Sequence, residues 1–142
     1  IACLLPAPYN LNLTITIPRL ILFLLSFVLS AFLMTALTTL YHVVCMSTLD
    51  EKGIVGIFMT VADLLSGLVI PIPFFPSYIQ NITNILPFRY IGDFPYRLYV
   101  GNISMHDGYI GLIIQIIWII ILVVIGRLLM KRNLKKAVVQ GG

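Results

Sequence analysis

The fold of this chain is decided by residues 67–108, which read GLVIPIPFFPSYIQNITNILPFRYIGDFPYRLYVGNISMHDG. Long apolar runs lie on both sides of this stretch, and five of the eight prolines lie inside it: Pro71, Pro73, Pro76, Pro87 and Pro95. Proline removes a backbone hydrogen bond and clashes with the preceding turn, so the stretch cannot be one continuous spanning helix. At membrane depth, irregular backbone needs protein or a water-filled cavity to satisfy its polar groups. The stretch is therefore either an outside loop on the interface or a re-entrant element.

The composition places the chain in a membrane. Of its 142 residues, 60% are hydrophobic and 10% are charged, and the mean hydropathy is +1.05. A soluble domain carries about 25% charged residues. These values predict an integral membrane protein with a single membrane region. Because the first residue is Ile1 and not methionine, we expect the sequence to begin inside a longer protein.

The net charge of +4 comes from one end of the chain. Every acidic residue lies at or before Asp107. The last sixteen positions contain five basic residues: Arg127, Lys131, Arg132, Lys135 and Lys136. A basic cluster directly after an apolar run indicates a cytoplasmic C-terminus. Orientation in the membrane explains the cluster, so nucleic-acid binding is not predicted. Contact with anionic membrane lipid is compatible with it.

The apolar runs predict an all-α, polytopic membrane helix bundle. Three clear transmembrane helices are expected, over residues 20–49, 54–75 and 108–130. A cytoplasmic C-terminus makes the last span run from outside to inside, and the other two alternate. Residues 1–19 are then an outside loop, or include the end of an earlier span, and residues 131–142 form a basic cytoplasmic tail.

The outside element, residues 77–101, is predicted to contain two short helices. Apolar residues follow helical spacing over Ser77–Leu86, and Pro87 ends that helix. The second helix is expected over Asp93–Val100, because an aspartate of the capping type opens it and Gly101 follows as a stop. Aromatic residues at this density are typical of the headgroup boundary.

Asp63 is the most unusual polar residue, because the prediction places it near the middle of the second span. A charged aspartate at the bilayer centre costs roughly 2.5–3.5 kcal/mol on insertion scales. Two interpretations stay open: a residue that lines a wet, proton-linked cavity, or a packing residue hydrogen-bonded to a neighbouring helix. Other polar side chains of the spans could line a path or act as ordinary interhelix contacts: Thr35, Thr38, His42 and Gln115.

The sequence contains no catalytic constellation. It has no glycine-rich phosphate loop and no Cys/His spacing typical of a metal site. We therefore expect no enzymatic reaction, cofactor or metal in this chain, and its polar groups suit passage or binding.

Several short motifs carry a family resemblance. In order, they are Ser66-Gly67 with Pro71, Phe75-Pro76, Leu86-Pro87-Phe88, Phe94-Pro95, Gly126-Arg127 and the closing Gln140-Gly141-Gly142. Their order and spacing over residues 20–142 resemble the C-terminal half of bacterial ABC transporter permeases of the type-2 export class. The branch grouped with daunorubicin and viologen exporters is the most similar.

The resemblance implies a function. A permease of that class has six helices, pairs with a second permease and is driven by two cytoplasmic ATP-binding subunits, which bind the ATP. The three predicted spans then correspond to helices four, five and six. The short outside helices dip into the outer leaflet and close the exit of the export path, with these candidate gate residues: Pro87, Phe88, Arg89, Phe94 and Pro95.

The resemblance has one gap. The N-terminal interface helix and the coupling helix of that class have no counterpart here, so we expect a fragment or the product of a split gene. The predicted location is the bacterial plasma membrane. The alternative function is a small structural or assembly subunit of a membrane complex, with no transport path of its own.

Overall fold

The described fold is entirely helical, which confirms the predicted all-α class. A computed structural model describes residues 16–46 and 51–140, with side chains described for residues 16–46 and 56–135. No β-strand occurs in this part of the chain. Two 3₁₀ turns, Ile72–Phe74 and Pro87–Tyr90, separate some of the α-helices. The α-helices are α1 (Ile17–Cys45), α2 (Glu51–Leu65), α3 (Ser77–Ile85), α4 (Asp93–Val100) and α5 (Met105–Gln140).

Two of these helices, α1 and α5, dominate the structure. With 29 and 36 residues, they extend for about 43 and 54 Å. A hydrocarbon core is about 30 Å thick. Within the described residues, they are the helices long and apolar enough to cross a membrane, over Ile17–Cys45 and Met105–Lys135. Pro18 begins α1 without cost because the first turn of a helix has no use for its missing N–H.

α1 and α5 lie side by side and parallel. Near their N-terminal ends, Leu22 Cδ1 lies 3.8 Å from the position that a Cβ atom on Gly108 would occupy. Near their C-terminal ends, Asn133 Nδ2 donates to the Val43 carbonyl at 2.7 Å. Because both contacts pair residues at nearly the same sequence offset, the two helices run in the same direction.

The second helix differs from its prediction. A span was expected over residues 54–75, but α2 has 15 residues, extends for only about 22 Å and ends at Leu65. The chain turns at Ser66, whose hydroxyl donates to the Asp63 carbonyl at 2.8 Å, and then at Gly67, whose φ of +80° favours glycine. The described residues therefore contain two helices of spanning length, and the expectation of three clear transmembrane helices exceeds what the structure supports.

The early end of α2 also changes the position of Asp63. This residue lies in the last turn of α2, and its side chain is exposed. It is not near the middle of a spanning helix, which was the basis of the two interpretations given above.

Differences at the other boundaries are smaller. α5 continues through the basic cluster to Gln140, where a tail was predicted from residue 131, because lysine, arginine and leucine are good helix formers. The predicted outside residues 1–15 and the end of the predicted first span, residues 47–50, lie outside the described part of the chain.

The chain between α2 and α5, residues 66–104, is called the broken segment below. Its helix α4 packs against the start of α5, where two glycines leave room for it. A Cβ atom on Gly108 would lie 2.9 Å from Leu98 Cδ1, and one on Gly111 would overlap the Phe94 ring. Because Phe94 meets Gly111 and Leu98 meets Gly108, α4 runs antiparallel to α5.

α4 also contacts the other long helix. The Tyr99 and Phe23 rings lie 5.1 Å apart between their centroids, so α4 is held by α1 as well as by α5. The core of the described structure combines apolar residues of the long helices with residues of the broken segment: Leu22, Leu33, Leu37, Phe88, Phe94, Leu98 and Leu122. The broken segment is thus an integral part of the core.

Candidate functional site: a broken segment anchored between two long helices

A buried group of hydrogen bonds joins the broken segment to both long helices. Gln115 of α5 is fully buried, and its Nε2 atom donates to the Tyr90 carbonyl at 2.8 Å and to the Ser26 carbonyl at 3.2 Å. The same nitrogen lies 3.0 Å from Ser30 Oγ, which itself lies 2.9 Å from the Tyr90 carbonyl. We call Gln115, Ser26, Ser30 and the Tyr90 carbonyl the polar node.

The hydrogens of Gln115 and Ser30 match the acceptors that these two side chains contact. The two carbonyls only accept, so the amide of Gln115 must turn its nitrogen toward them. Gln115 and Ser30 together supply three hydrogens for the two carbonyls and for Ser30 Oγ. Gln115 Oε1 and Ser26 Oγ are buried and have no hydrogen-bond partner within the described residues. The Tyr90 carbonyl of the broken segment therefore has two possible donors, whereas two side-chain atoms of the polar node have none.

The Tyr90 carbonyl needs this support because it lies at a break in the helical structure. The second 3₁₀ turn ends at Tyr90, and α4 begins at Asp93. Gln115 lies ten residues after Met105, or about 15 Å along α5. The break thus reaches well inside the apolar part of a spanning helix, where backbone polar groups must find partners in protein. The described contacts therefore place the break beside the apolar part of α5, against protein on two sides.

A second anchor is formed by charged residues next to the polar node. Asp93 is only 7% exposed, and its Oδ2 atom lies 3.3 Å from Arg89 Nε and 3.7 Å from Arg97 Nη1. These are close charge contacts and not well-aligned hydrogen bonds. Arg89 also donates to the side-chain oxygen of Asn84, which ties the turn to α3. One buried carboxylate thus contacts two guanidinium groups, from the turn before it and from α4 after it.

The backbone of Asp93 links the same point to the end of α2. Its N–H donates to the Ser66 carbonyl at 2.9 Å. The two chains approach so closely that a Cβ atom on Gly67 would lie 3.0 Å from Asp93 Cβ, and one on Gly92 would lie 2.8 Å from Leu68 Cγ. Glycine is needed on both sides of this contact because a side chain would separate the chains.

The sequence of this chain matches one known protein family over most of its length. A sequence model described as "ABC-2 family transporter protein" matches residues 5–141. The chain belongs to the ABC-2 family of transporter proteins. It is thus a membrane permease component of an ABC transporter, and the family implies an ATP-binding partner subunit. No curated protein and no solved structure matched the chain. The match does not distinguish the daunorubicin-like branch within the family.

The structure of this permease brings the predicted gate residues together. Pro87, Phe88, Phe94 and Pro95 are buried, and Arg89 is partly buried, all within the second 3₁₀ turn and the first turn of α4. The break with the Tyr90 carbonyl lies between them. Their role as a gate stays a prediction, but they form one cluster around the polar node and Asp93.

The polar residues predicted on α1 lie elsewhere. Thr35 and Thr38 donate to the carbonyls one turn earlier, at 2.8 Å each, and His42 Nδ1 lies 2.8 Å from the Thr38 carbonyl. These described hydrogen bonds stay within α1 and do not reach Asp63. With Met34 and Thr39, the three residues line an open groove of about 520 Å³.

Sequence reasoning missed the partners of Gln115. Ser26 and Ser30 were not singled out, and Gly108 and Gly111 were not recognised as the space that α4 fills. One signal was available, because positions 108, 111 and 115 follow the three- and four-residue spacing of a single helix face. Small residues and one amide on one face of a membrane helix indicate a close contact.

We expect Gln115 and Ser30 to stabilise the broken segment jointly. Each side chain alone still reaches the Tyr90 carbonyl, so Gln115→Leu or Ser30→Ala should each lower the free energy of unfolding by about 1 kcal/mol. The loss of the unpaired Gln115 Oε1 atom also keeps the single effect small. In the double variant the carbonyl loses both partners, and the effect should exceed the sum by about 1 kcal/mol. The measurement is reversible unfolding in mixed micelles titrated with dodecyl sulfate.

A matched cycle provides the control. Asn133→Leu removes an amide that donates between the same two helices, far from the broken segment. Its effect should add to that of Ser30→Ala without coupling. Additive effects of Gln115→Leu and Ser30→Ala would contradict a shared role at the Tyr90 carbonyl.

Proposed function

We propose that this permease forms half of the transport path of an ATP-driven exporter, and that its broken segment closes the path at the outer face. The polar node carries the proposal. It supports a re-entrant break at membrane depth with a few hydrogen bonds to two spanning helices. Such bonds can be exchanged for water as a unit, whereas a continuous helix cannot open in this way.

The packing of α4 favours movement as one body. α4 meets α5 through two glycines and meets α1 through the ring pair Phe23–Tyr99. The glycines present no side chains of their own, so α4 can leave this surface without displacing a side chain at these two positions of α5. A shift of α4 away from this surface would expose the gate cluster around Phe88 and Phe94.

The charge distribution supports the orientation. The exposed basic residues Arg127, Lys131, Arg132 and Lys135 lie at the C-terminal part of α5. The broken segment packs near the N-terminal ends of α1 and α5. The positive-inside rule then places the C-terminus in the cytoplasm and the broken segment outside. In this arrangement the permease lies in the bacterial plasma membrane.

The remaining path requires partners. A second permease completes it, and ATP is bound and hydrolysed in the separate ATP-binding subunit, so no bond chemistry occurs in this chain. The groove along Thr35, Thr38 and His42 supports this arrangement, because polar groups on a spanning helix favour a protein or water neighbour over lipid. Asp63 is exposed in the last turn of α2, directly before the turn that begins the broken segment.

Tethering α4 to α1 should stop the transport cycle. In a background with Cys3→Ser and Cys45→Ala, Phe23→Cys and Tyr99→Cys place two half-buried thiols at the ring contact. A short, membrane-impermeant, thiol-specific cross-linker added to intact cells should join them. The assembled transporter is then isolated, and we expect its ATP hydrolysis to fall severalfold because the closure cannot open.

Each single-cysteine variant receives the same treatment as a control and should keep its ATP hydrolysis. Unchanged hydrolysis in cross-linked transporter would contradict a moving closure. Cross-linking that requires permeabilised cells would contradict the outside location. If the chain serves only as a structural subunit, ATP hydrolysis should be the same in the cross-linked double-cysteine variant and in the single-cysteine variants.

A further inference from the structure

A pocket on the outer half of the molecule has an unusual distribution of charge. It has a volume of about 330 Å³ and lies between the second 3₁₀ turn, α4 and the first turns of α5. The polar residues that line it are Arg89, Arg97, Asn102, Ser104 and Asp107. It is called the lateral pocket below, because residues at the start of α5 form one of its walls.

The two arginines give one wall of the lateral pocket spare hydrogen-bond donors. Arg89 and Arg97 share the single carboxylate of Asp93, which leaves one positive charge unbalanced. Their side chains remain 20% and 30% exposed, and both residues line the pocket. A guanidinium group has five N–H donors, so each arginine keeps donors beyond the contacts described above, and two such groups suit a phosphate group.

The α5 wall of the lateral pocket carries the opposite charge. Asp107 is exposed in the first turn of α5 and accepts a hydrogen bond from Ser104 Oγ at 2.7 Å. A carboxylate only accepts hydrogen bonds, so it favours a ligand with a positive, donating group. The pocket therefore fits a zwitterion better than a simple anion.

An apolar surface continues from the pocket along α5. Ile110 and Ile114 line the pocket, and Ile117 and Ile121 follow on the same helix face at three- and four-residue spacing. Both of the latter are exposed, at 48% and 38%. A zwitterionic site joined to an exposed isoleucine surface matches a headgroup with acyl chains.

We propose that the lateral pocket binds an amino-phospholipid, with its phosphate at Arg89 and Arg97 and its ammonium group at Asp107. The acyl chains lie along the isoleucine face of α5. Only a short two-carbon link joins phosphate and ammonium in such a headgroup, so both fit within a pocket of this size. The site does not depend on the proposed transport function, because it requires neither ATP nor movement of the broken segment.

The test measures lipid bound to the full chain in mild detergent by native mass spectrometry. Phosphatidylethanolamine and phosphatidylglycerol are supplied in equal amounts, since both carry a phosphate but only the first carries an ammonium group. Wild-type protein should retain phosphatidylethanolamine in severalfold excess. Arg97→Gln should lose most of both lipids. Asp107→Asn should keep phosphate binding and lose the preference, while its side-chain oxygen can still accept from Ser104.

The controls separate this site from other causes. Arg132→Gln removes an exposed charge at the far end of α5 and should not lose the preference for phosphatidylethanolamine, because only contact with anionic lipid is expected of the basic cluster there. Thermal unfolding of Arg97→Gln shows whether its loss of bound lipid results from misfolding. Asp107→Asn tests the site independently, because the Asp107 side chain is exposed. Equal retention of the two lipids by wild-type protein, or an unchanged preference in Asp107→Asn, would overturn the proposal. Displacement of lipid by inorganic phosphate alone would show a free-phosphate site and would also overturn it.

Discussion

Asp93→Ala should destabilise the protein by about 2 kcal/mol, because two partly buried guanidinium groups lose their buried counter-charge. The carboxylate lies against both Arg89 and Arg97 and is only 7% exposed. Without it, two positive groups face each other across a small space in the broken segment. The backbone bond from Asp93 to Ser66 is retained, so the effect isolates the side chain. The measurement is the free energy of unfolding in mixed micelles.

Two further variants sharpen this prediction. Asp63→Ala changes an exposed aspartate at the end of α2 and should shift the free energy of unfolding by less than about 0.5 kcal/mol. Asp93→Asn keeps the size of the side chain and removes only the charge, so it should retain most of the loss. If Asp93→Asn is as stable as the wild type, the charge cluster contributes nothing and the prediction is wrong.

Gly111→Leu should cost about 3 kcal/mol, at the upper end of the usual range for overpacking. The Phe94 ring already occupies the position that a Cβ atom at Gly111 would take. α5 cannot move away easily, because the polar node ties it to α1 one turn further on. The ring and α4 must shift instead, so ATP hydrolysis by the assembled transporter should fall together with stability.

The same helix offers a matched control. A Cβ atom on Gly126 would meet nothing within 4 Å, so Gly126→Leu should be neutral or slightly stabilising through helix propensity. The double variant Gly111→Leu/Phe94→Ala removes the overlapping ring and should recover part of the loss. Equal stability of Gly111→Leu and Gly126→Leu would show that α4 does not pack on this face.

Local chemistry explains which features were predictable. The membrane class follows from composition, and the breaks at Pro76 and Pro87 follow from the geometry of proline. The two short helices lie at Ser77–Ile85 and Asp93–Val100, within one residue of the predicted ranges. Capping residues and prolines act within a few positions along the chain, so a sequence alone specifies them.

The end of α2 shows where this reasoning fails. Residues 68–70 are apolar, and the span was predicted to continue to residue 75. The helix instead ends at Leu65, where the N–H of Asp93 reaches the Ser66 carbonyl. Gly67, with its φ of +80°, is a local stop signal that the prediction did not use. The contact between Asp93 and Ser66 leaves no local signal, and the same is true of Gln115 with Ser30.

The sequence by itself determined that this protein is a helical membrane protein with a proline-broken segment, because hydrophobicity, proline and helix stop signals act locally. The tertiary structure alone decided which helices that segment packs against and what holds it there. The Tyr90 carbonyl is satisfied by Gln115 and Ser30 from two different helices. Which buried groups become partners depends on how distant helices align, and that alignment is a property of the packed chain.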